Sequence, residues 1–266
     1  MGRIRKVIDE ELEVYIRALV AAPRMRALWD VCDRGVPVFV HSVDVLLLCL
    51  GRFPEWQARS SRIDLAAVAI GAMLHDSSKL DPHLLHGCSH SHLMSVDPDL
   101  AVDAARHVLD ELAAVGGLSL SPDRRRQVEH IVASHHGRFG KVRPLTPEAH
   151  LVHLCDLYSS TNHRVAPVDS NDILPLLSTG CRMQHVGVLL GIGREVVKSR
   201  LAESCRAEHV RDWVELLGVW KSQGSVASGP PERTEQIRQV RRLIEISREA
   251  PDSLMPELRA VARGKG

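Results

Sequence analysis

Residues 72–80 read Ala-Met-Leu-His-Asp-Ser-Ser-Lys-Leu, and this stretch decides how the chain is interpreted. An apolar run ends there with His75 beside Asp76, and Lys79 follows three residues later. A neutral imidazole next to a carboxylate suits a divalent metal that accepts nitrogen and oxygen ligands, and Lys79 is within reach of a phosphate. An isolated His-Asp pair is more often a core histidine beside a capping aspartate. The metal interpretation therefore depends on what the rest of the chain supplies.

The composition is that of a globular protein of one or two domains, with 266 residues, of which 44% are hydrophobic and 25% charged. A net charge of +1 argues against broad polyanion binding, so any contact with nucleic acid is expected to be local. The six cysteines form no CxxC pair, which favours a reducing compartment. Without an apolar signal core or a run of about 18 apolar residues, we expect a cytoplasmic protein with no membrane partner.

Helical periodicity with Ser, Thr and Pro start signals predicts an all-α chain, a helical bundle with a small carboxyl-terminal helical extension. The expected helices cover residues 4–22, 36–51, 61–75, 98–115, 121–136 and the stretch from 146 onwards. Pro37 is expected to open the second of these and Gly51 to close it. Small residues such as Gly71 would let a neighbouring helix approach the third closely.

Metal-binding residue types recur on the inward faces and at the ends of these helices. They are His41, His75, Asp76, His107, His135, His136 and Asp156. Two consecutive histidines at a helix end are hard to explain as packing, and an aspartate on a buried stripe needs a cation or hydrogen-bond donors. Imidazoles and carboxylates without a thiolate describe a site for Mn, Fe, Co, Ni or Zn rather than for Ca or Mg alone.

A loop between residues 81 and 98 carries four more histidines and is either a lid over a site or a solvated loop. They are His83, His86, His90 and His92.

The order H…HD…H…HH…D, with the lysine of His-Asp-Ser-Ser-Lys, resembles the HD superfamily of metal-dependent phosphohydrolases over residues 36–161. Within it, the chain looks most like the HD domain of YhaM-type 3′-5′ exoribonucleases. The shared features are Ser134-His-His-Gly137, the helix start Pro144-Leu-Thr-Pro-Glu-Ala149, and His153 ahead of Asp156. HD-GYP phosphodiesterases share the double histidine, but the segment after Gly137 supplies no GYP. The chain also lacks the amino-terminal OB-fold that grips RNA in those exoribonucleases, which leaves the substrate open.

The resemblance implies a first metal bound by His41, His75, Asp76 and Asp156. Asp76 would bridge to a second metal held by His107, His135 and His136, with His90 and His92 as competitors for the place of His107. If only one metal is bound, the first ligand set suffices for a nucleotide phosphatase.

The implied reaction is hydrolysis of a phosphoester in a nucleotide or nucleic acid, RNA-exonuclease-like, by a metal-activated water. Asp76 and Lys79 would be the catalytic residues, with Lys79 offsetting charge on the phosphoryl oxygens. Arg138 and Lys141 would hold a flanking phosphate, or they are solvated loop charges. The same fold also includes di-iron oxygenases, and the ligands do not separate the two classes.

Residues 183–201 match a helix-turn-helix template and look like the recognition region of sigma-factor-type DNA-binding proteins. Arg194, Lys198 and Arg200 are then candidate DNA contacts, and the protein could be a DNA-binding regulator with a ligand-sensing metal site. The alternative is an ordinary helical hairpin.

The composition of residues 222–231 predicts a flexible linker. The helix beyond it carries a narrow apolar stripe at Ile237, Val240 and Ile244, which indicates a docking or homodimer helix or one that folds back on its own domain. We therefore divide the chain into 1–165, 166–221 and 222–266.

Overall fold

The computed structural model describes residues 10–33, 36–60, 62–81, 89–163, 166–249 and 256. Helices dominate these residues, and their one sheet pairs the two-residue strands β1 (Cys32–Asp33) and β2 (Val36–Pro37). The prediction of an all-α fold is confirmed. No helix in the described part of the chain is long and apolar enough to cross a membrane.

The chain forms two compact units. Unit 1 comprises the described residues of 10–31, 37–163 and 246 onwards, and unit 2 those of 32–36 and 164–245. The helices of unit 1 are α1 (Glu10–Ala21), α2 (Pro23–Ala27), α3 (Val38–Arg59), α4 (Leu65–Leu74), α5 (His90–Val96), α6 (Asp99–Ala114), α7 (Pro122–Ser134) and α8 (Pro147–Tyr158). Single 3₁₀ turns lie at Ser77–Leu80 and Gly137–Phe139, and a π-helical turn, Ser159–His163, follows α8.

Helix α4 is the centre of unit 1 and is buried on all sides, as a helix that is apolar all round must be. Its start is capped by Asp64, whose Oδ1 accepts hydrogen bonds from the backbone N–H of Ala66 and Ala67. Helices α1, α3, α7 and α8 pack around it. A Cβ on Gly71 would lie 2.6 Å from Ile131 Cγ2, so α7 approaches α4 closely because this position has no side chain.

Helix α3 is longer than the sequence pattern predicted. It runs through Gly51 and Pro54 to Arg59, so the expected end at Gly51 was wrong. A glycine inside a helix costs only about 1 kcal/mol relative to alanine. Burial of Phe53 beyond the glycine, with an exposed fraction of 5%, favours continuation of the helix.

Helices α7 and α8 begin at the predicted start signals. Ser121 Oγ accepts from the N–H of Arg124, and Thr146 Oγ1 accepts from the N–H of Ala149. Helix α7 ends at Ser134, so His135 and His136 lie in the turn directly after its last residue.

Unit 2 is a smaller helical unit with its own apolar core. Its helices are α9 (Ser170–Ser178), α10 (Met183–Leu189), α11 (Arg194–Ala207), α12 (Trp213–Gln223) and the part of α13 (Pro231–Glu249) that ends at Glu245. The tight turn between α10 and α11 depends on two glycines. Gly191 adopts φ +65°, and a Cβ on Gly187 would lie 2.8 Å from the carbonyl oxygen of Ile192.

The segment predicted as a flexible linker is instead attached to unit 2. Val226 is buried, and its N–H and C=O are both hydrogen-bonded to the side-chain amide of Asn171, at 2.9 and 3.0 Å. Composition alone does not reveal such a partner 55 residues away. Helix α13 buries Ile237 and Val240, and Arg241 Nε donates to the carbonyl of Pro167. The apolar stripe therefore folds back within unit 2, while its use in a homodimer stays a prediction.

Candidate metal centre

Four of the predicted ligand residues converge from three helices of unit 1. His41 lies in the first turn of α3, His75 and Asp76 follow the last residue of α4, and Asp156 lies near the end of α8. His41 Nε2 is 3.0 Å from Asp156 Oδ1 and 3.3 Å from His75 Nε2. Asp76 Oδ2 lies 3.6 Å from His41 Nε2 and 3.4 Å from His75 Nε2.

Hydrogen bonds on the far side of both imidazoles determine which nitrogen faces this cluster as a ligand. His75 Nδ1 lies 2.7 Å from the carbonyl oxygen of Ala72, which can only accept, so Nδ1 carries the proton. Ser159 Oγ donates to the Asp44 carboxylate at 2.6 Å, so it accepts from His41 Nδ1–H at 3.0 Å. In their neutral forms, both rings therefore present a proton-free Nε2.

Two imidazole lone pairs and two carboxylate oxygens thus face one another across 3.0–3.7 Å. Lone pairs at such distances repel one another unless a proton or a cation lies between them. A nitrogen and oxygen donor set of this kind fits a divalent transition metal.

A second group of imidazoles lies next to the first. His90 Nε2 is 3.2 Å from His135 Nε2, and the His136 ring stands edge-on to both, with centroids 5.1 and 4.5 Å away. His135 Nδ1 donates to the carbonyl oxygen of Val132 at 2.7 Å, which again leaves Nε2 free to act as a ligand. Among the described residues, His90, His135 and His136 form one group able to hold an ion, and His41, His75 and Asp76 form another.

Asp76 lies between the two groups and presents one carboxylate oxygen to each. Its Oδ2 faces His41 and His75, while its Oδ1 is 3.1 Å from His90 Nε2 and 3.9 Å from His135 Nε2. Lys79 Nζ donates to Oδ2 at 2.8 Å, and its ammonium group is buried beside the centre. A carboxylate in this position can bridge two cations.

The protonation states suit metal ligands. Burial raises the pKa of Asp76, but the Lys79 ammonium and the His75 imidazole outweigh it and hold the pKa well below its ordinary value. Burial lowers the pKa of His90 to about 3, which keeps this imidazole neutral. His75 differs: burial lowers its pKa, but the carboxylates of Asp76 and Asp156 raise it further, so a proton competes there with a cation.

His107 does not join the cluster. It is exposed on α6 and belongs to neither metal-capable group, whereas His90 reaches Asp76 and His135 from the first residue of α5. His107 faces away because the buried stripe of α6 is formed by its neighbours Ala105 and Val108. His92 is exposed as well, and His83 and His86 lie outside the described residues. Among the described residues, His90 and not His107 therefore belongs to the second group of imidazoles.

The two candidate phosphate-binding cations lie in the segment after His136. Arg138 and Lys141 are both exposed. The Arg138 guanidinium lies over the ring of Phe139 at 4.7 Å, and Lys141 Nζ donates to the carbonyl oxygen of Val96 at 3.2 Å. Both charges are on the surface, in the segment that follows the double histidine in sequence, and neither forms an ion pair with a carboxylate of the described residues.

Arg200 does not fit the DNA contact predicted for it. Its guanidinium is buried in unit 2, where Nε donates to the carbonyl of Val168 and Nη1 to Glu203. The residue falls on the inner stripe of α11, three residues after buried Val197, so its charge is used inside the fold. Arg194 and Lys198 are exposed on the same helix, with Lys198 Nζ 2.9 Å from Glu195.

The residues that orient the ligands were missed by the sequence reasoning. Ser159 and Asp44 fix the His41 ring, and Ser160 Oγ donates to Asp156 Oδ1 at 3.1 Å. Both serines belong to the π-helical turn, a geometry that occurs frequently at functional sites. The Ser-Ser pair three residues after Asp156 was the available signal, although short serine pairs are too common to be specific.

His153 supports the double-histidine turn from α8. Its Nδ1 donates to the carbonyl oxygen of His135 at 2.6 Å. Gly137 has φ +55°, and a Cβ there would lie 2.3 Å from the His153 ring. The Ser-His-His-Gly sequence thus requires its glycine for both reasons.

Comparison with known families agrees with this geometry. Residues 38–161 match the family model described as HD domain, a helical fold whose members are generally metal-dependent hydrolases. No curated protein and no solved structure gives a significant match to the chain. The matched range begins at the first residue of α3 and ends in the π-helical turn, so it contains both metal-capable groups. The match shows that residues 38–161, a little less than half of the chain, are similar to the HD domain.

Proposed function

We propose that unit 1 is a metal-dependent phosphohydrolase that cleaves a phosphoester of a nucleotide or nucleic acid. The observation that carries the proposal is Asp76, whose two carboxylate oxygens face two separate groups of imidazole nitrogens. His41, His75, Asp76 and Asp156 would hold one ion. His90, His135 and His136 would hold a second, with Asp76 shared.

The chain's own residues have distinct parts in this proposal. When bound, a pair of divalent ions lowers the pKa of a shared water and aims it at phosphorus. Asp76 would keep the two ions together, and Lys79, buried 2.8 Å from Asp76, would stabilise negative charge developing on a phosphoryl oxygen. Arg138 and Lys141 would bind a further phosphate of the substrate.

The proposal that the substrate is a nucleotide or nucleic acid depends on Arg138 and Lys141, two exposed cations that directly follow the double-histidine turn. A substrate with more than one phosphate would use the centre and the flanking cations at the same time. An exonuclease acting on RNA is the narrower form of the proposal. It predicts that short RNA is cleaved faster than mononucleotides.

The test combines metal content with activity. We expect the purified chain, supplied with Mn²⁺, to bind up to two ions and to release product from nucleotides, cyclic dinucleotides or short RNA. His90→Ala should lose the second ion and most activity, whereas His107→Ala, an exposed histidine outside the cluster, should keep both. Equal effects of the two variants would contradict the ligand assignment. Iron-dependent oxygen consumption without phosphoester cleavage would favour an oxygenase instead.

A second candidate function, DNA binding by unit 2, is supported by the short helix, glycine turn and longer helix of residues 183–207. Of the three candidate DNA contacts, Arg194 and Lys198 are left, because Arg200 is buried. We expect salt-dependent binding of duplex DNA that Arg194→Gln weakens. Such binding should persist in His75→Ala if the regulator hypothesis is correct.

A further inference from the structure

A cavity of about 370 Å³ lies in unit 2, beside the second half of α11. Part of its lining is apolar: Leu201 and Cys205 are buried, and Met183 and Val210 also line the cavity. Trp213, the first residue of α12, forms one wall. Cavities that hold small molecules are typically about 300–1,000 Å³ and mostly apolar, with a few polar groups placed to orient the ligand.

The charged groups that line this cavity are mostly positive. Lys198 and Arg206 project from α11 two turns apart, and Arg211 comes from the loop that follows. The one carboxylate in the lining, Asp212, caps α12, where Oδ1 accepts from the N–H groups of Val214 and Glu215 at 3.0 Å. Its charge is thus already engaged with the start of a helix.

The partners of the cationic side chains do not prevent a ligand from binding. Lys198 pairs with Glu195, and Arg211 pairs with Glu215, in ion pairs at the protein surface. Such pairs are typically worth about 0–1 kcal/mol. An anion seated in the cavity can therefore replace either carboxylate at little cost.

Backbone and packing contacts support the loop wall of the cavity. The N–H of Val210 donates to the carbonyl oxygen of Cys205 at 3.0 Å, and His209 adopts φ +55°, a left-handed conformation that is uncommon outside glycine. Trp213 and Val210 also pack against the apolar core of unit 2. A cavity with fixed walls binds without first having to order them.

We propose that this cavity binds a small amphiphilic anion, with an apolar or aromatic body against Trp213 and Leu201 and an anionic group at Arg206. The apolar part of the lining makes a fully hydrated ion such as inorganic phosphate a poorer ligand, and the cationic side chains make a neutral apolar ligand a poorer one. All the residues that line the cavity belong to unit 2, so none of them is a residue of the metal centre.

The experiment compares two fluorescent probes that differ in one charged group. 1-Anilinonaphthalene-8-sulfonate carries a sulfonate, and N-phenyl-1-naphthylamine has the same rings without it. We expect the folded full chain to bind the sulfonated probe more tightly. Arg206→Gln should lower the affinity for the sulfonated probe about ten-fold, which is the order of one charge-assisted hydrogen bond. It should leave the affinity for the neutral probe nearly unchanged.

Two further variants make the result specific to the cavity. Arg194→Gln removes the same charge from the same helix outside the cavity and should have no effect. Ala202 lines the cavity and is exposed, so Ala202→Trp should fill it without disturbing the core and abolish binding of both probes. The proposal is overturned if Ala202→Trp binds the probes as the unchanged chain does, or if Arg206→Gln and Arg194→Gln behave alike.

Discussion

Ser159→Ala should weaken metal binding at the first ligand set without unfolding the protein. Ser159 Oγ donates to Asp44 at 2.6 Å and accepts from His41 Nδ1 at 3.0 Å, so it connects the ligand ring to a carboxylate. The alanine variant loses both hydrogen bonds, which contribute about 1 kcal/mol each. Since 1.4 kcal/mol is about a factor of ten, we expect a loss of about ten- to hundred-fold in metal affinity, the range found for outer-shell partners of metal ligands.

The assay is calorimetric titration of Mn²⁺ or Zn²⁺ into metal-free chain, with thermal unfolding measured in parallel. Ser42→Ala is the matched control, because Ser42 is a buried serine beside His41 whose hydroxyl has no hydrogen-bond partner among the described residues. Ser159→Thr, which keeps the hydroxyl, should restore part of the affinity. If Ser159→Ala and Ser42→Ala bind metal equally well, the hydrogen-bonded chain from Asp44 to His41 does not orient the ligand.

Three other predictions test the centre and the fold. Gly137→Ala should destabilise the chain by about 2–4 kcal/mol in urea unfolding, because it adds a clash with His153 to the backbone cost of a positive φ, about 1–2 kcal/mol. Gly116→Ala is the control: Gly116 has φ +70° and no atom within 4 Å of an added Cβ, so this variant should show the backbone cost alone. Arg200→Ala should cost about 1–3 kcal/mol, because it leaves the carbonyl oxygen of buried Val168 without its donor and removes one of the two arginines near Glu203, which keeps Arg233 at 3.8 Å. Lys198→Ala on the exposed face should change the free energy of unfolding by about 0.5 kcal/mol or less. Similar urea midpoints for the two variants would refute this. Metal affinity at the first ligand set should fall as the pH drops through the raised pKa of His75, since a proton occupies the ligand nitrogen below that pKa. In titrations at several pH values, His75→Gln should make the metal affinity less dependent on pH.

Local sequence predicted most of the secondary structure and the first ligand set's positions. Start signals at Ser121 and Thr146 act through hydrogen bonds to the backbone three positions away, so they can be recognised without the fold. Helical periodicity likewise placed His41 and Asp156 on inward faces, and the two residues meet at 3.0 Å. The stop signal at Gly51 misled because burial beyond it outweighs one residue's helix propensity.

The second group of imidazoles could be predicted only in part. His135 and His136 were found because a double histidine at a helix end is unusual. The sequence did not decide whether His90 or His107 joins the second ligand set, since both lie between the His75-Asp76 pair and the double histidine. Only the packing of α5 and α6 shows that one ring enters the cluster and the other faces solvent.

In unit 2, the sequence likewise did not reveal which charged side chain is buried or that the predicted linker is held in place. Arg200 and Lys198 are two residues apart and look equivalent in sequence, but one lies against the carbonyl of Val168 and the other in solvent. The Gly- and Ser-containing segment that reads as a linker is held through Val226 by Asn171. Both outcomes depend on partners more than 30 residues away, which no local pattern contains.

The sequence by itself therefore determined the helical class, the residue types of a nitrogen and oxygen metal centre and the order in which they occur, because these follow from side-chain chemistry and short-range periodicity. The tertiary structure decided which histidines share the centre, which oxygen of Asp76 faces which group, and which hydrogen bonds orient the rings. Those features arise where helices distant in the chain pack together, and their geometry is set by side-chain volumes and buried hydrogen bonds across the whole unit.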